Sequence, residues 1–133
     1  MAFAGLNYLA ILVAAITAFA TGAVWYGILG NRWLAALGKT RDEMKPTPLP
    51  FVIAFVAELI MAFVLAGIIG HMGEVTIHIG IMSALFVWAG FVATTVVVNN
   101  AYQGTPWSLP LIDAGHWLAV LLVMGLVIGA FGV

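Results

Sequence analysis

The chain alternates long apolar runs with short polar ones. No residue from Met1 to Asn31 is charged, and between Lys45 and Glu74 the only charge is Glu58. No Asp, Glu, Lys or Arg occurs from Val75 to Ile112, and none follows Asp113. A membrane-spanning helix needs about 20 apolar residues, because ~30 Å of hydrocarbon is crossed at 1.5 Å per residue. Four segments meet this requirement, at 6–29, 50–71, 77–99 and 110–132. The stretch 75–112 is too long for one span, and it is broken by Asn99, Asn100 and Gln103, then Gly104 and Pro106. Prolines respect these limits. Pro46, Pro48 and Pro50 precede or open the second span and Pro106 and Pro110 the fourth, with none inside a span. Pro50 and Pro110 suit a first helical turn, where a missing N–H costs nothing. The pattern predicts an all-α integral membrane protein, one domain over 1–133, with four transmembrane helices in a compact bundle and a polar loop at 31–49. The first apolar run has no basic residue before it and is too long for the core of a signal peptide, so it is read as a helix of the mature protein.

Composition turns this pattern into an exclusion. Of 133 residues, 7% are charged and 65% hydrophobic, whereas soluble domains carry about 25% charged residues. So few charges cannot cover a water-soluble globule. A net charge of -1 leaves no basic footprint for nucleic acid. The absence of cysteine excludes disulfides, thiolate metal sites and cysteine nucleophiles. Charge placement also predicts topology. Arg32, Lys39, Arg41 and Lys45 share the first loop, and positive loops stay in the cytoplasm. Both termini and the 72–76 turn are then outside, and the 100–109 loop is inside. Trp25, Tyr26, Trp33, Tyr102 and Trp107 form the aromatic belt of the inner boundary, and Tyr8 marks the outer one.

Small residues recur every four positions. Ala10, Ala14, Ala18 and Gly22 form one row, and Ala54, Ala62, Ala66 and Gly70 another, with Glu58 at the missing position. The fourth span has Gly115 with Ala119 and Gly125 with Gly129. Such rows let helix backbones approach closely where lipid offers no hydrophobic drive, so they are expected at helix–helix contacts. Gly30-x-x-Trp33 and Gly104-x-x-Trp107 hint at a parallel repeat of two helix pairs. The first loop is expected to contain a short interfacial helix over 31–37, anchored by Trp33. Gly38-Lys39-Thr40 mimics the end of a phosphate-binding loop, but Trp33 stands where that motif needs its first Gly.

Candidate chemistry rests on polar residues at membrane depth. Glu58 lies about 12 Å into the bilayer from Pro50, where a carboxylate costs ~3 kcal/mol. Its position in the small-residue row turns it toward a neighbouring helix. It is either a proton-carrying or cation-binding carboxylate, or a protonated acid bridging helices. Asp113 and His116, three residues apart, share a face of the fourth span. Asp113 suits the positive end of the helix dipole and can pair with Arg32, while His116, about 9 Å deep, is a relay, a ligand contact or a buried neutral histidine. Thr21, with Thr94 or Thr95, is expected at the same level, in a polar cluster opening toward Asn99 and Asn100. His71, Glu74 and His78 flank the outer turn as weak metal candidates without standard ligand spacing. Trp88, near mid-bilayer, needs a partner for its N–H. It either lines a groove for a pigment, quinone or lipid or simply packs between helices. No nucleophile–base pair points to an enzyme, and no cofactor can be named.

Three blocks carry a family resemblance. They are Asn7-Tyr8 with Gly22-x-x-Trp25-Tyr26-Gly27, then Trp88-x-Gly90-Phe91 leading to Asn99, then Trp107 with Ile112-Asp113-Ala114-Gly115. Together they resemble a small bacterial membrane family, domain of unknown function 1761. The resemblance implies four membrane helices in a bacterial cytoplasmic (inner) membrane, places Trp25, Asn99 and Asp113 in shared motifs, and implies no particular activity. An aromatic residue is expected at the position of His116, which makes a proton role there peculiar to this chain. Two functions fit. One is a small transporter or permeation unit, oligomeric, with Glu58 as its coupling carboxylate. The other is a non-catalytic accessory subunit within a larger membrane complex. Both place the protein in a lipid bilayer, as a homo-oligomer or beside other chains.

Overall fold

The computed structural model describes residues 5–45 and 47–132. Pro46, the first of the three loop prolines, lies outside the described residues. Four helices follow one another: α1 (Tyr8–Leu37), α2 (Pro48–His71), α3 (Ile77–Gln103) and α4 (Ser108–Phe131). Each is long and apolar enough to cross a membrane, and no strand occurs among the described residues. This is a four-helix, multi-pass membrane architecture. Large apolar side chains such as Ile28, Phe86, Phe91 and Leu111 stand on its exterior, the side that lipid covers.

The helix limits follow from local chemistry. Asn7 caps α1, its side-chain oxygen accepting the Ala10 N–H at 3.1 Å. Gly38 ends α1 in the left-handed region at φ 70°, a conformation that glycine enters without a Cβ clash. The separate interfacial helix expected over 31–37 does not form. Instead α1 continues unbroken to Leu37, because Gly30 to Leu37 contains no proline and mostly good helix formers. At 1.5 Å per residue, its 30 residues reach about 45 Å, so its last turns extend past the hydrocarbon. Pro48 occupies the first turn of α2, where it is tolerated. Thr76 caps α3, accepting the Ile79 N–H at 3.2 Å.

Helix α3 is not uniform. Trp88–Ala93 form a π-helical turn between two α-helical halves, Ile77–Val87 and Thr94–Gln103. A π turn takes one residue more than an α turn. It therefore rotates everything after it by about 100° relative to a continuous helix.

Helix α4 lies between α1 and α3 and packs most extensively against both, while α2 leans mainly on α1. The continuous core fills the end of the bundle nearer the 72–76 turn. Ala14 and Ala18 of α1, Ala62, Leu65 and Ile69 of α2, Ala84 of α3, and Val120, Leu121 and Met124 of α4 meet there. Glycines bring two backbones into contact at that end. A Cβ on Gly80 would fall 2.0 Å from the Gly125 carbonyl oxygen, and one on Gly125 would fall 2.3 Å from that of Gly80. One turn on, a Cβ on Gly129 would meet the Thr76 carbonyl oxygen at 2.4 Å. Small residues thus occupy the contact where dispersion and backbone proximity replace the hydrophobic drive. Helix α2 meets the first half of α3 but not the second to any comparable extent, so these two helices diverge away from their connecting turn.

Candidate functional site

The divergence leaves a cavity of about 950 Å³ at the loop end of the bundle, within the size range of small-molecule sites. Each wall is one face of a helix. Helix α1 supplies Phe19, Gly22, Tyr26 and Trp33, and α2 supplies Pro50, Phe51, Ala54 and Glu58. Helix α4 gives Asp113, His116 and Trp117, and the loop gives Met44, Lys45 and Thr47. The second half of α3 gives Val96, Asn99, Asn100 and Gln103. That last face depends on the π turn. In a continuous helix the interior face of Gly80, Ala84 and Val87 would run on through Thr95, Val98 and Tyr102. The extra residue advances the register, so the amide-bearing face turns inward, and Tyr102 is 91% exposed.

The cavity is polar at its mouth, and Glu58 lies at its deep end, next to the core. This side chain is only 2% exposed, and its Oε2 has no hydrogen-bond partner. One turn further along α2, Ala62 is fully buried, so the packed core begins there. His116, also buried, leaves Nδ1 without a partner. Its ring is held by neighbours. Tyr26 lies 4.9 Å away between ring centroids and Trp117 4.5 Å away. The missing side chain of Gly22 makes room, since a Cβ there would lie 2.8 Å from Nε2. Two buried polar atoms without partners, at the deep end of a cavity, are a costly arrangement for a structure with no use for them.

Nearer the mouth Tyr26, Asp113 and Asn100 have partners. The Tyr26 hydroxyl donates to Asp113 Oδ1 at 2.6 Å. Two indoles donate to carbonyls in the first turns of α4, Trp25 to Ile112 at 3.1 Å and Trp88 to Ala114 at 2.8 Å. Trp25 fits because Gly115 has no side chain, a Cβ there being 2.8 Å from the ring. Asn100 donates to the Val96 carbonyl and accepts from the Thr105 hydroxyl at 2.7 Å, which ties the end of α3 to the following turn.

Of the polar residues expected together, Glu58, Asn99, Asn100, Asp113 and His116 share the cavity. Thr21 does not enter it. Its hydroxyl donates back to the Thr17 carbonyl at 2.8 Å, one residue off the face that Gly22 presents. Thr94 and Thr95 likewise donate within their own helix, to Gly90 and Phe91, on the exposed side. Asp113 takes Tyr26 rather than Arg32, and no ion pair joins Asp113 to Arg32. Trp88 spends its N–H on α4 and lines no part of the cavity. Among the described residues no group of three His, Asp or Glu is placed to hold a metal, so His71, Glu74 and His78 stay apart. The aromatic wall of Phe19, Tyr26, Trp33 and Trp117 was not foreseen. Its α1 members do follow helical spacing with Gly22, which is the signal that finds them.

A family model described as "Protein of unknown function (DUF1761)" matches residues 9–129. The chain belongs to that family. No curated protein and no solved structure matches it. Parts of the three blocks noted in the sequence meet in one place. Trp25 and Tyr26, Trp88, and Ile112 to Gly115 come from three helices and meet through the three hydrogen bonds just described. This knot fixes α4 against α1 and α3 beside the cavity and leaves α2 outside it.

Proposed function

We propose that this protein is a small membrane transporter whose cavity faces the cytoplasm and whose coupling group is Glu58. The observation that carries the reading is the unpartnered carboxylate oxygen at the deep end of a cavity. A lone charge at that depth is expensive, so the carboxyl holds either a proton or the cationic part of a solute, but not both. Competition of that kind couples one movement to the other. The positive loop at 32–45 supports a cytoplasmic mouth, in a bacterial inner membrane. The turn half of the bundle holds the packed core, so release on the far side requires α2 to move against the α1–α4–α3 unit, or a second copy of the chain to complete the route. His116 and Asn99 are positioned to contact the solute on its way to Glu58.

Reconstituted vesicles test this. With an acid-inside pH gradient, an internal pH-sensitive dye and a panel of cationic solutes outside, the wild-type protein is expected to dissipate the gradient faster than empty vesicles when a solute that it carries is present, and Glu58→Gln is expected to fall to the background. Equal rates for the two proteins would remove Glu58 from the mechanism. Absence of flux, together with recovery from native membranes at fixed stoichiometry with a larger protein, would favour an accessory subunit instead.

A further inference from the structure

We infer that the cavity recognises an organic monocation with an aromatic or otherwise apolar body. The inference rests on the transport reading only for its site, and it names the class of solute. Charge supports it first. The cavity carries two carboxylates, Glu58 and Asp113, against one lysine, Lys45, which is exposed at the mouth, and one imidazole, the buried His116. Neither carboxylate is paired with a cation: Asp113 holds the Tyr26 hydroxyl, and Glu58 Oε2 holds nothing. An anionic solute could not take the place of the proton on Glu58 and would meet the like charge of Asp113, and a neutral apolar one would leave the buried carboxyl as unsatisfied as before.

The walls narrow the class further. Between the mouth and Glu58 the lining includes Phe19, Tyr26, Trp33 and Trp117. Tyr26 and Trp33 meet edge-on at 5.6 Å, so at least one ring face of this group is turned aside from its neighbour. Aromatic faces attract ammonium groups, most strongly where water is excluded. A bare metal ion would use neither these walls nor the apolar volume, and no group of three ligating side chains is present among the described residues. An ammonium on an apolar body satisfies both features at once: its charge pairs with Glu58 and its body fills the aromatic section.

The test is equilibrium binding to the full chain in nanodiscs, with empty nanodiscs as the lipid background. The probes are benzyltrimethylammonium, its uncharged isostere neopentylbenzene, and benzenesulfonate. Saturable binding above background is expected for the ammonium alone, at least tenfold weaker in Glu58→Gln. Gln103 lies exposed at the mouth, where substitution does not threaten folding. Gln103→Glu is expected to tighten ammonium binding several-fold and Gln103→Lys to weaken it by a similar factor. Equal binding of the neutral isostere, preferential binding of the sulfonate, or indifference to charge at both positions would overturn the inference. Ammonium binding without any flux would retain it and remove the transport reading. Glu58-dependent flux with no ammonium binding would do the reverse.

Discussion

The two ends of the bundle are built from the same four helices with different side chains at the helix contacts. Toward the 72–76 turn, α1 presents Ala10, Ala14 and Ala18, α2 presents Ala62 and Ala66, and α3 and α4 present Gly80, Gly125 and Gly129. Toward the loop, the same faces carry Phe19, Tyr26 and Trp33, then Phe51 and Glu58, then His116 and Trp117. Small residues let backbones touch, and large ones hold them apart. In water, bulky apolar side chains would close such a gap, because exposing them is unfavourable. In lipid that drive is missing, and ring size sets the separation of the helices. The difference teaches that a membrane bundle can carry a cavity by placing small residues at the helix contacts of one end and rings between the helices at the other, with the tight end, where Leu65, Ile69 and Met124 fill the remaining space, serving as the anchor.

Breaking the tight end has the largest expected effect. Gly125→Val places a branched side chain where even a Cβ would lie 2.3 Å from the Gly80 carbonyl oxygen. Because the neighbour is backbone, it cannot turn aside, and α3 must move off α4. Overpacking of this kind costs about 1–3 kcal/mol where side chains can adjust, and a backbone contact belongs at or above the top of that range. Thermal unfolding followed by circular dichroism in mild detergent is expected to show a large drop in midpoint or loss of folded protein. A midpoint within a degree of wild type would mean that the α3–α4 seam is not the anchor.

The knot beside the cavity comes next. Trp88→Phe keeps a ring in place and removes the donor to the Ala114 carbonyl. Interhelical hydrogen bonds in membranes average about 0.6 kcal/mol and reach ~1.7 at most. The variant should therefore lose less than the glycine substitution does, but measurably. Denaturant titration of the two proteins side by side checks the order. An effect equal to that of Gly125→Val would shift the anchor from the tight end to the knot.

How far this contrast was legible in the sequence depends on the kind of information each feature needs. The four spans follow from length and hydropathy, which a bilayer enforces directly. The end of α1 does not, because helix propensity ignores the water boundary and carries the chain to Leu37. Depth puts Glu58 and His116 at related levels, in a cluster opening toward Asn99, since rise per residue is fixed. Depth says nothing about direction around the helix axis, and Thr21, next to Gly22, turned out to face its own helix. The inward face of Asn99 and Asn100 additionally needs the π turn at Trp88–Ala93. No proline or charge marks that turn; it reflects the fit of α3 to α4, where the Gly80 contact on one side and the Trp88 hydrogen bond on the other fix the register.

The smallest effect on stability is expected at the residue that matters most for the proposed function. Glu58 and Ala62 lie one turn apart on α2, on either side of the line between cavity and core. Ala62→Leu adds volume to a site with no free surface and is expected to cost about 1–3 kcal/mol. Glu58→Gln keeps the size of the side chain and, since Oε2 has no partner, removes no hydrogen bond made by that atom. Its stability is expected to stay within about 0.5 kcal/mol of wild type, the range of substitutions that break no packing or polar network. If Glu58 instead bridged helices as a structural acid, removing its bond would cost about 1–3 kcal/mol, and the two variants would unfold alike. Denaturant titration of this pair therefore separates a carboxyl reserved for a ligand from one built into the fold, without requiring the ligand to be known.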